Sequence, residues 1–290
     1  MDPTTAMYVA QGIHGLAYGM MLFLLASGLT LIFGMMGILN LAHASFFMLA
    51  AYFCYQVITM TGSFWLALLV APVAVAILGV LVERFLLRKV HAFGHVGELI
   101  LTVGVSLVIL EGVKIPWGTE SLPLRIPPVL VGLVSFAGLD YPIYRLFMIG
   151  LALVVLSIMA LLLYKTRLGM VVRAAVSDAD MVNALGINVP LVFMFVFGAG
   201  TWLAGVAGVG IAPILTVFPG LADQVGIDAF IVVVTGGFGS LGGAFLVSII
   251  FGLLSSYGVQ FVSTLAPVLM FIFMAIVLVF KPMGLFGERE

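Results

Sequence analysis

Three polar side chains lie close together in an otherwise apolar N-terminal stretch. Asn40, His43 and Ser45 offer an amide, an imidazole and a hydroxyl, and on a helix Asn40 and His43 would share a face at i, i+3 spacing. Polar side chains at membrane depth usually face the interior of a helix bundle. The group therefore predicts one of two roles: it lines a pore for a polar solute, or it satisfies the backbone at a helix break. No second His, Cys or carboxylate follows at ligand spacing, so the pattern does not indicate a metal site.

A second polar group is the stretch 165–190, which carries three basic and two acidic side chains between apolar runs. Ser177 is the predicted N-cap of a short helix, with Asp180 at the capping-box spacing. Gly186 is the predicted C′ residue, and Pro190 blocks continuation. The helix has about eight residues and a length of roughly 12 Å, too short to cross a bilayer or to be stable alone in water. It must therefore pack on a surface outside its own segment.

The sequence carries no motif for hydrolysis or for nucleotide binding. The patterns G-x-x-x-x-G-K-[ST], G-x-S-x-G and H-E-x-x-H do not occur in it. Gly237–Gly242 formally matches G-x-G-x-x-G, but its flanks are apolar runs and no acidic residue follows about 20 positions on. We therefore expect a chain that is not an enzyme and that has no cofactor of its own. A membrane-embedded enzyme is the weakest alternative.

The composition requires a membrane environment. The chain is 64% hydrophobic and 8% charged, with a mean hydropathy of +1.34, whereas soluble domains carry about 25% charged residues. We expect an all-α polytopic membrane protein with a single transmembrane domain over residues 1–290. The net charge of −1 gives no reason to expect a nucleic-acid partner. The first residues lack a basic n-region, so the first apolar run is expected to be a retained span.

Eight apolar runs are long enough to cross about 30 Å of hydrocarbon. They lie near residues 12–33, 41–60, 63–82, 97–114, 144–164, 190–212, 243–260 and 264–281. A shorter apolar piece, Ile227–Val234, precedes a glycine cluster and is a half-helix, a re-entrant segment or part of a bent span. The sequence therefore predicts about eight transmembrane helices, or nine if the short piece crosses.

The basic residues predict the orientation. Eight of the eleven form three groups that we place on the cytoplasmic side: Arg84, Arg88 and Lys89; Lys165, Arg167 and Arg173; Lys281 and Arg289. The other three lie in or beside the segment 115–143, an extracytoplasmic loop stiffened by prolines. Three crossings, by the last three long runs, are expected between Arg173 and Lys281. This count places Gly236–Gly243 on the outer side and makes Ile227–Val234 re-entrant.

The pattern Phe-Gly-x-x-Gly occurs twice, at Phe33–Gly37 and at Phe238–Gly242, each time near a junction between spans. Interrupted helices at corresponding positions of two halves point to a transport site. The alternative is a pair of short turns with close helix packing through small residues. The predicted pathway residues are Gly34, Gly37, Asn40, His43, Ser45, Gly237, Gly239 and Ser240.

Two stretches together resemble the bacterial branched-chain amino acid ABC transporter permeases, the leucine/isoleucine/valine type. Gly34–His43 resembles the N-terminal signature of this family, and Arg173–Asn188 resembles its cytoplasmic coupling loop. The spacing of the runs and the glycine cluster at 236–243 also fit. The resemblance implies that the stretch 165–190 contacts an ATPase. The positions expected at that contact are Arg173, Ala174, Ala175, Ser177, Asp178, Asp180, Leu185 and Gly186.

The resemblance also implies a complex in the bacterial inner membrane. Its other members would be a second, related permease forming a heterodimer, two ATP-binding subunits that hold ATP and Mg²⁺, and an extracytoplasmic solute-binding protein. The expected solute is a branched-chain or other aliphatic amino acid. In this family the His is often followed by Gly and Glu, whereas Ala44 and Ser45 follow His43 here. Urea, short amides or another small solute therefore stay open as alternatives. An ion-coupled secondary transporter or a channel is the alternative class, which the scarcity of carboxylates in the spans disfavours.

Overall fold

The computed structural model describes residues 2–136 and 139–287, which form a bundle of helices with one small hairpin. The α-helices are α1 (Pro3–Met36), α2 (His43–Thr61), α3 (Phe64–Val82), α4 (Arg88–Val90), α5 (Gly94–Trp117), α6 (Ile143–Lys165), α7 (Arg167–Ser177), α8 (Ala179–Ala184), α9 (Val189–Ile211), α10 (Leu221–Gly236), α11 (Leu241–Val262) and α12 (Ala266–Phe280). A π-helical turn, Glu83–Leu87, joins α3 to α4, and 3-10 turns occupy His91–Phe93, Pro128–Leu130 and Ser263–Leu265. The strands β1 (Leu133–Phe136) and β2 (Leu139–Pro142) are antiparallel, with Val134 opposite Tyr141.

Within the described residues, seven helical segments are long and apolar enough to cross a membrane. They are Thr4–Met36, His43–Thr61, Phe64–Val90, Gly94–Trp117, Ile143–Lys165, Val189–Ile211 and Leu241–Phe280. The last segment contains both α11 and α12, which fold back on each other, since a Cβ placed on Gly258 would lie 3.3 Å from the Ala266 side chain. The segments thus hold the eight long helices that the sequence predicts, and the all-α polytopic fold is confirmed.

Small residues allow α1 to lie at the centre of the bundle. A Cβ placed on Gly19 would lie 2.5 Å from the Ser248 carbonyl oxygen of α11, and one on Gly28 would lie 2.5 Å from the Gly200 carbonyl oxygen of α9. Backbones can approach this closely only where side chains are absent, as is common between helices in membranes. Consequently most of α1 from Met20 to Ile32 is buried between α9 and α11.

The two ends of the bundle differ in charge. We call one end the basic face, because its loops and helix ends carry Arg84, Arg88, Lys89, Lys165, Arg167, Arg173 and Lys281. The other end, the opposite face, carries the segment 115–143. Arg289, the last member of the predicted basic groups, lies outside the described residues. The grouping of basic residues along the chain therefore corresponds to one end of the folded bundle.

The glycine segment Gly236–Gly243 lies at the basic face, so its predicted place on the outer side was wrong. Leu122 and Val217 exchange backbone hydrogen bonds of 2.8 and 3.1 Å, which holds the start of α10 beside the segment 115–143. At the other end of α10, a Cβ on Gly237 would lie 2.5 Å from the Gly287 nitrogen, after the last helix. The helix α10 therefore runs from the opposite face to the basic face and is not re-entrant.

The prediction was wrong because it required an odd number of membrane crossings between two points on the same side. Two points on one side of a membrane are joined by an even number of crossings, so three long runs cannot connect Arg173 to Lys281. The 16 residues of α10 supply the fourth crossing, with a length of about 24 Å at 1.5 Å per residue. The short apolar piece Ile227–Val234 is the apolar half of this helix, and the count of nine that the sequence allowed describes the observed path.

The stretch 165–190 contains two helices where the sequence predicts one. Ser177 is the last residue of α7, and Asp178 is the N-cap of α8, its carboxylate accepting the Met181 N–H at 2.8 Å. The predicted N-cap at Ser177 was therefore wrong by one residue. The Asp178 N–H still bonds to the Ala174 carbonyl at 3.0 Å, which keeps Ser177 inside α7 and leaves Asp178 extended.

The end of the second short helix follows the prediction. Gly186 has a φ of +84°, the left-handed conformation that glycine adopts without steric cost. Its N–H bonds to the Asn183 carbonyl at 3.0 Å, and the Ile187 N–H bonds to the Val182 carbonyl at 3.2 Å. These bonds satisfy carbonyls at the end of α8. Pro190 then lies in the first turn of α9.

Candidate functional site

The segment Gly37–Ala42 breaks the helical path between α1 and α2 deep inside the bundle. Gly37, at φ +67°, ends α1, and the chain then runs back along α1. The new helix begins at His43, whose Nε2 donates to the Leu25 carbonyl at 3.0 Å. Leu25 precedes the end of α1 by eleven residues, which corresponds to about 16 Å. Non-helical backbone at this depth is tolerated only where protein buries it or where it lines a cavity.

A cavity of about 420 Å³ lies between this break and the opposite face. We call it the opposite-face cavity, because it reaches from the break to Ala222 and Asp223 in the first turn of α10. Its walls are Leu25, Leu29, Asn40, Leu41, His43, Ala44, Ser45, Ser106, Ala222, Asp223, Gly226, Ile227, Ala229 and Phe230. The three polar residues singled out from the sequence, Asn40, His43 and Ser45, are thus brought together on one cavity wall.

A larger cavity of about 1020 Å³ opens at the basic face. Its walls are Phe33, Gly34, Met35, Met36, Gly37, Leu39, His95, Leu99, Ala175, Val176, Ala179, Phe193, Phe238, Gly239, Ser240 and Phe286. Leu39 lines this basic-face cavity, whereas its neighbour Asn40 lines the opposite-face cavity. The segment Gly37–Ala42 therefore lies between two cavities that reach it from opposite ends of the bundle.

The two Phe-Gly-x-x-Gly segments meet in the basic-face cavity. The Phe33 and Phe238 rings lie 4.3 Å apart between centroids, and a Cβ on Gly34 would lie 2.7 Å from the Gly239 Cα. Ser240 accepts the Gly243 N–H at 3.1 Å and caps α11. Gly237 is not part of the lining and packs on Gly284 instead. For these two segments the sequence offered a transport site and close helix packing as alternatives. In the structure the segments pack closely on each other and also line a cavity.

The polar atoms at the break are buried and only partly paired. Asn40 and His43 are each 2% exposed. The Asn40 Oδ1 accepts the Ala42 N–H at 3.1 Å, and the Ser45 and Ser106 hydroxyls lie 2.7 Å apart. Asn40 Nδ2 and His43 Nδ1 have no hydrogen-bond partner among the described residues. One polar atom of Asn40 and one of His43 are thus bonded to the backbone. The other polar atom of each, Asn40 Nδ2 and His43 Nδ1, is left without a partner in the part of the chain that the structure describes.

The helices α7 and α8 form a small hydrophobic cluster of their own at the basic face. Ala175, Val182 and Val189 are buried in this cluster, and Phe193 of α9 packs against it. Ala175 also lines the basic-face cavity, together with Val176 and Ala179. The pair of short helices is therefore attached to α9 and forms part of the cavity mouth.

Two of the predicted contact side chains are engaged within this chain. The Arg173 guanidinium donates to the Leu163 carbonyl and lies 5.7 Å from the Tyr164 ring centroid, and Asp178 caps α8. The others are exposed except Ala175, which is buried: Ala174, Ser177, Asp180, Leu185 and Gly186. Arg173 and Asp178 therefore shape the two helices, although both are also exposed, as are the other positions except Ala175.

The same two helices carry an apolar surface of which the sequence predicted only Leu185. Leu168, Met170 and Met181 are more than half exposed, as is Leu185 at the C-terminus of α8. Large apolar side chains on the outside of a polar segment mark an interaction surface when they are grouped. The signal was present in the sequence as apolar residues between the charged ones, and of the four large apolar residues the prediction named Leu185 but not Leu168, Met170 or Met181.

A second polar cluster that the sequence analysis missed lies where α1 approaches the opposite face. Arg145 donates to His14 Nδ1, and the Tyr141 hydroxyl lies 2.8 Å from the same nitrogen. Burial raises the pKa of Tyr141 more than the neighbouring Arg145 lowers it, so this hydroxyl keeps its proton. One turn along α1, the Tyr18 hydroxyl donates to Asp228 at 2.6 Å. Charged residues near the ends of apolar runs were the available signal.

A polytopic helix bundle with a cavity on each side of a broken segment, and with short helices at one cavity mouth, has the architecture of a membrane transport permease. The comparisons with known proteins agree with this class. The chain belongs to the family described as branched-chain amino acid transport system / permease component, whose model matches residues 13–280.

Curated relatives cover almost the full length of the chain. It is 29% identical to the high-affinity branched-chain amino acid transport system permease protein BraD of Pseudomonas aeruginosa, over 98% of this chain and 97% of the relative. It is 27% identical to the permease protein LivH of Escherichia coli, over 98% and 96% of the two chains. A probable LivH of Methanocaldococcus jannaschii is 29% identical, over 93% and 90%. No solved structure matches the chain.

Proposed function

We propose that this chain is the permease subunit of an ABC importer and forms the pathway for branched-chain or other aliphatic amino acids. The observation that carries the proposal is the pair of cavities that meet at Gly37–Ala42 from opposite ends of the bundle, in a chain of this family. The segment Gly37–Ala42 forms a partition between the two cavities. When the surrounding helices move, a solute bound at this partition is accessible from one side of the membrane at a time. The chain conducts the solute and does not itself hydrolyse ATP.

The energy is supplied by partner chains. This sequence has no nucleotide-binding loop, and a permease of the ABC class works with ATP-binding and solute-binding components. We infer two ATP-binding subunits that hold ATP and Mg²⁺, a second, related permease that pairs with this one as a heterodimer, and an extracytoplasmic solute-binding protein. The bacterial inner membrane is the place where such a complex works.

The basic face is the cytoplasmic side in this proposal. Loops rich in Lys and Arg stay on the cytoplasmic side of a membrane, and the basic face carries most of these residues. The opposite face, with the segment 115–143, then receives the solute from the binding protein. The opposite-face cavity is the entry side of the pathway, and the basic-face cavity is the exit side.

The helices α7 and α8 couple the ATPase to the pathway. Their exposed apolar side chains Met181 and Leu185 fit into a groove of the ATP-binding subunit, because isolated short helices require such support. Their buried cluster with Val189 and Phe193 transmits the displacement to α9, which packs on α1 and α3. Arg173 positions α7 on the end of α6 through its bond to Leu163.

Uptake by a reconstituted complex tests this proposal. This chain is purified with its partner permease and ATP-binding subunits, placed in proteoliposomes, and given labelled leucine with the solute-binding protein. We expect uptake that requires both ATP and the binding protein, and ATP hydrolysis that increases with loaded binding protein. Leucine uptake by this chain alone under an ion gradient would instead show a secondary transporter. ATP-driven uptake of urea or acetamide but not of leucine would show the alternative solute class.

A further inference from the structure

We propose that the opposite-face cavity is a recognition site for the free amino acid within the permease itself. In this site the ligand carboxylate accepts a hydrogen bond from Asn40 Nδ2, the ligand ammonium donates to His43 Nδ1, and the aliphatic side chain lies on the apolar wall. The inference rests on the proposed function, since it takes the solute to be an amino acid. It adds the location of the bound amino acid, its orientation in the cavity and the selectivity of the site for ligands without a net charge.

Asn40 supplies the donor. Its Oδ1 accepts the Ala42 N–H at 3.1 Å, which fixes the orientation of the amide and turns Nδ2 away from this bond. The residue is 2% exposed, it lines the cavity, and Nδ2 has no hydrogen-bond partner in the described part of the chain. Buried polar atoms in folded proteins are nearly always paired. A ligand acceptor in the cavity completes the pairing of this amide.

His43 supplies the acceptor. Its Nε2 lies 3.0 Å from the Leu25 carbonyl, and a carbonyl can only accept, so Nε2 carries the proton of the neutral ring. Nδ1 then presents a lone pair. This nitrogen is buried, belongs to a cavity-lining residue, and has no partner within residues 2–136 and 139–287. A donor and an acceptor three residues apart thus face one cavity, as a zwitterion requires.

The Ser45 and Ser106 pair adds a second donor. Their hydroxyl oxygens lie 2.7 Å apart, so one hydroxyl donates to the other. The hydroxyl that accepts keeps its own proton available. Both serines line the same cavity as Asn40, and in the proposed site this proton is donated to the second oxygen of the ligand carboxylate. The pairing also joins α2 to α5, which gives the site a wall on a different helix.

The remaining walls select the ligand. Leu25, Leu29 and Phe230 make the cavity largely apolar, and its volume of about 420 Å³ lies within the roughly 300–1,000 Å³ of small-molecule sites. The polar groups at the break are all neutral in the assigned state. Asp223, the carboxylate among the lining residues, is exposed at the first turn of α10. A charged ligand side chain would lie among Leu25, Leu29 and Phe230 with no counter-charge beside it, which is costly, whereas an aliphatic side chain leaves the ligand a zwitterion that is neutral overall. The site therefore takes leucine, isoleucine or valine and rejects lysine.

Direct binding tests this site without the solute-binding protein. The detergent-solubilised complex of the permeases and ATP-binding subunits is titrated with labelled leucine, and then with isoleucine, valine and lysine as competitors. The decisive variant is Asn40→Asp, which keeps the Oδ1 acceptor for Ala42 and replaces the free donor with a carboxylate oxygen that repels the ligand carboxylate. Gln56→Glu is the matched control, because the Oε1 of Gln56 accepts the Trp117 indole N–H at 2.9 Å on the same helix α2, outside the cavity.

We expect saturable leucine binding in the wild type, competition by isoleucine and valine, and at least tenfold weaker competition by lysine. Asn40→Asp should weaken leucine binding at least tenfold, because removing one hydrogen bond to a charged group weakens binding by roughly tenfold or more. Gln56→Glu should leave the affinity within about twofold of the wild type, since it acts outside the cavity. Equal affinity of wild type and Asn40→Asp, or equal competition by lysine and leucine, overturns the site. If Asn40→Asp does not assemble, the double variant Ser45→Ala with Ser106→Ala replaces it, with roughly tenfold weaker binding expected from the loss of a hydroxyl bond to the ligand carboxylate and unchanged binding as the contradicting result.

The outcome separates this inference from the proposed function. If the wild-type complex imports leucine at the expense of ATP but binds none without the binding protein, the recognition site is wrong and the importer stands. If no ATP-dependent leucine uptake occurs at all, the proposed function fails first. Each result therefore assigns the failure to one of the two statements.

Discussion

Single glycines decide how closely the helices of this permease approach each other. Gly34 and Gly239 come from segments more than 200 residues apart, and a Cβ on Gly34 would lie 2.7 Å from the Gly239 Cα. Gly242, in the same cluster as Gly239, has open space around the position of a Cβ. Two glycines of one sequence pattern thus have different physical roles, one in contact and one free.

The glycine contact predicts a difference in stability. Gly34→Ala places a methyl group against backbone that cannot move aside, so it should destabilise the bundle by about 1–3 kcal/mol. Gly242→Ala is the matched control and should be neutral or slightly stabilising, since alanine favours a helix by up to about 1 kcal/mol over glycine. Thermal unfolding of the purified chain in detergent measures both. Equal melting temperatures of the two variants would contradict the contact.

The sequence predicted which single residues have special roles better than it predicted the contacts of those residues. The two Phe-Gly-x-x-Gly segments are visible as a repeat, and their meeting agrees with the expectation of corresponding interruptions. The contact between Phe33 and Phe238 depends on where α1 ends relative to α10 and α11, which no local pattern contains. Similarly, the charges of Arg173 and Asp178 suggested external contacts, and the sequence did not show that each side chain also forms a hydrogen bond within the chain.

At the scale of elements, the pair α7 and α8 has an incomplete environment in a single chain. The pair packs on α9 through one small cluster and α7 also packs on α6 and α1, while Leu168, Met170, Met181 and Leu185 are exposed. Helices of 11 and six residues are too short to gain stability from their own hydrogen bonds. A partner surface over the exposed side therefore fits the proposed contact with an ATP-binding subunit.

Met181 tests this contact. Met181→Lys puts a charge into the apolar surface, so we expect at least tenfold weaker association with the ATP-binding subunit and a matching loss of leucine-dependent ATP hydrolysis, because burying an unpaired charge in an interface is costly. Met60→Lys is the control, since Met60 is also exposed but lies at the opposite face near the end of α2. Affinity co-purification and an ATPase assay give the readout. Full association of Met181→Lys would place the docking surface elsewhere.

The sequence predicted where α1 ends and where α2 runs, but it did not predict how deep in the bundle the break between them lies. The run 41–60 predicted α2 to within a few residues, and Gly37 ends α1. The depth of the break could not be predicted, because it depends on the chain from Gly37 to Ala42 folding back along α1 to bring His43 to Leu25. That return is set by packing among α1, α2 and α9, with Gly28 giving room for the imidazole ring.

For the whole molecule, the composition and the eight long runs were sufficient to predict the fold class, whereas the crossing number needed the structure. The uninterrupted apolar part of α10 spans only residues 229–234 in the sequence, since Asp223, Gln224 and Asp228 occupy its first turns. A helix that begins with polar residues at a cavity has no need of a full apolar length. Its crossing moves Gly236–Gly243 to the face that carries α7 and α8, where both glycine clusters share one cavity.

The central claim is that two cavities reach the Gly37–Ala42 partition from opposite sides of the membrane, and cysteine accessibility tests it most directly. Cys54, which is buried, is first replaced by alanine. Asp223→Cys, which lines the opposite-face cavity, and Leu39→Cys, which lines the basic-face cavity within the Gly37–Ala42 segment, are then introduced singly into the complex in membrane vesicles of known orientation. With a membrane-impermeant maleimide, we expect Asp223→Cys to be modified only from the extracytoplasmic side and Leu39→Cys only from the cytoplasmic side. Modification of both from the same side would contradict the account.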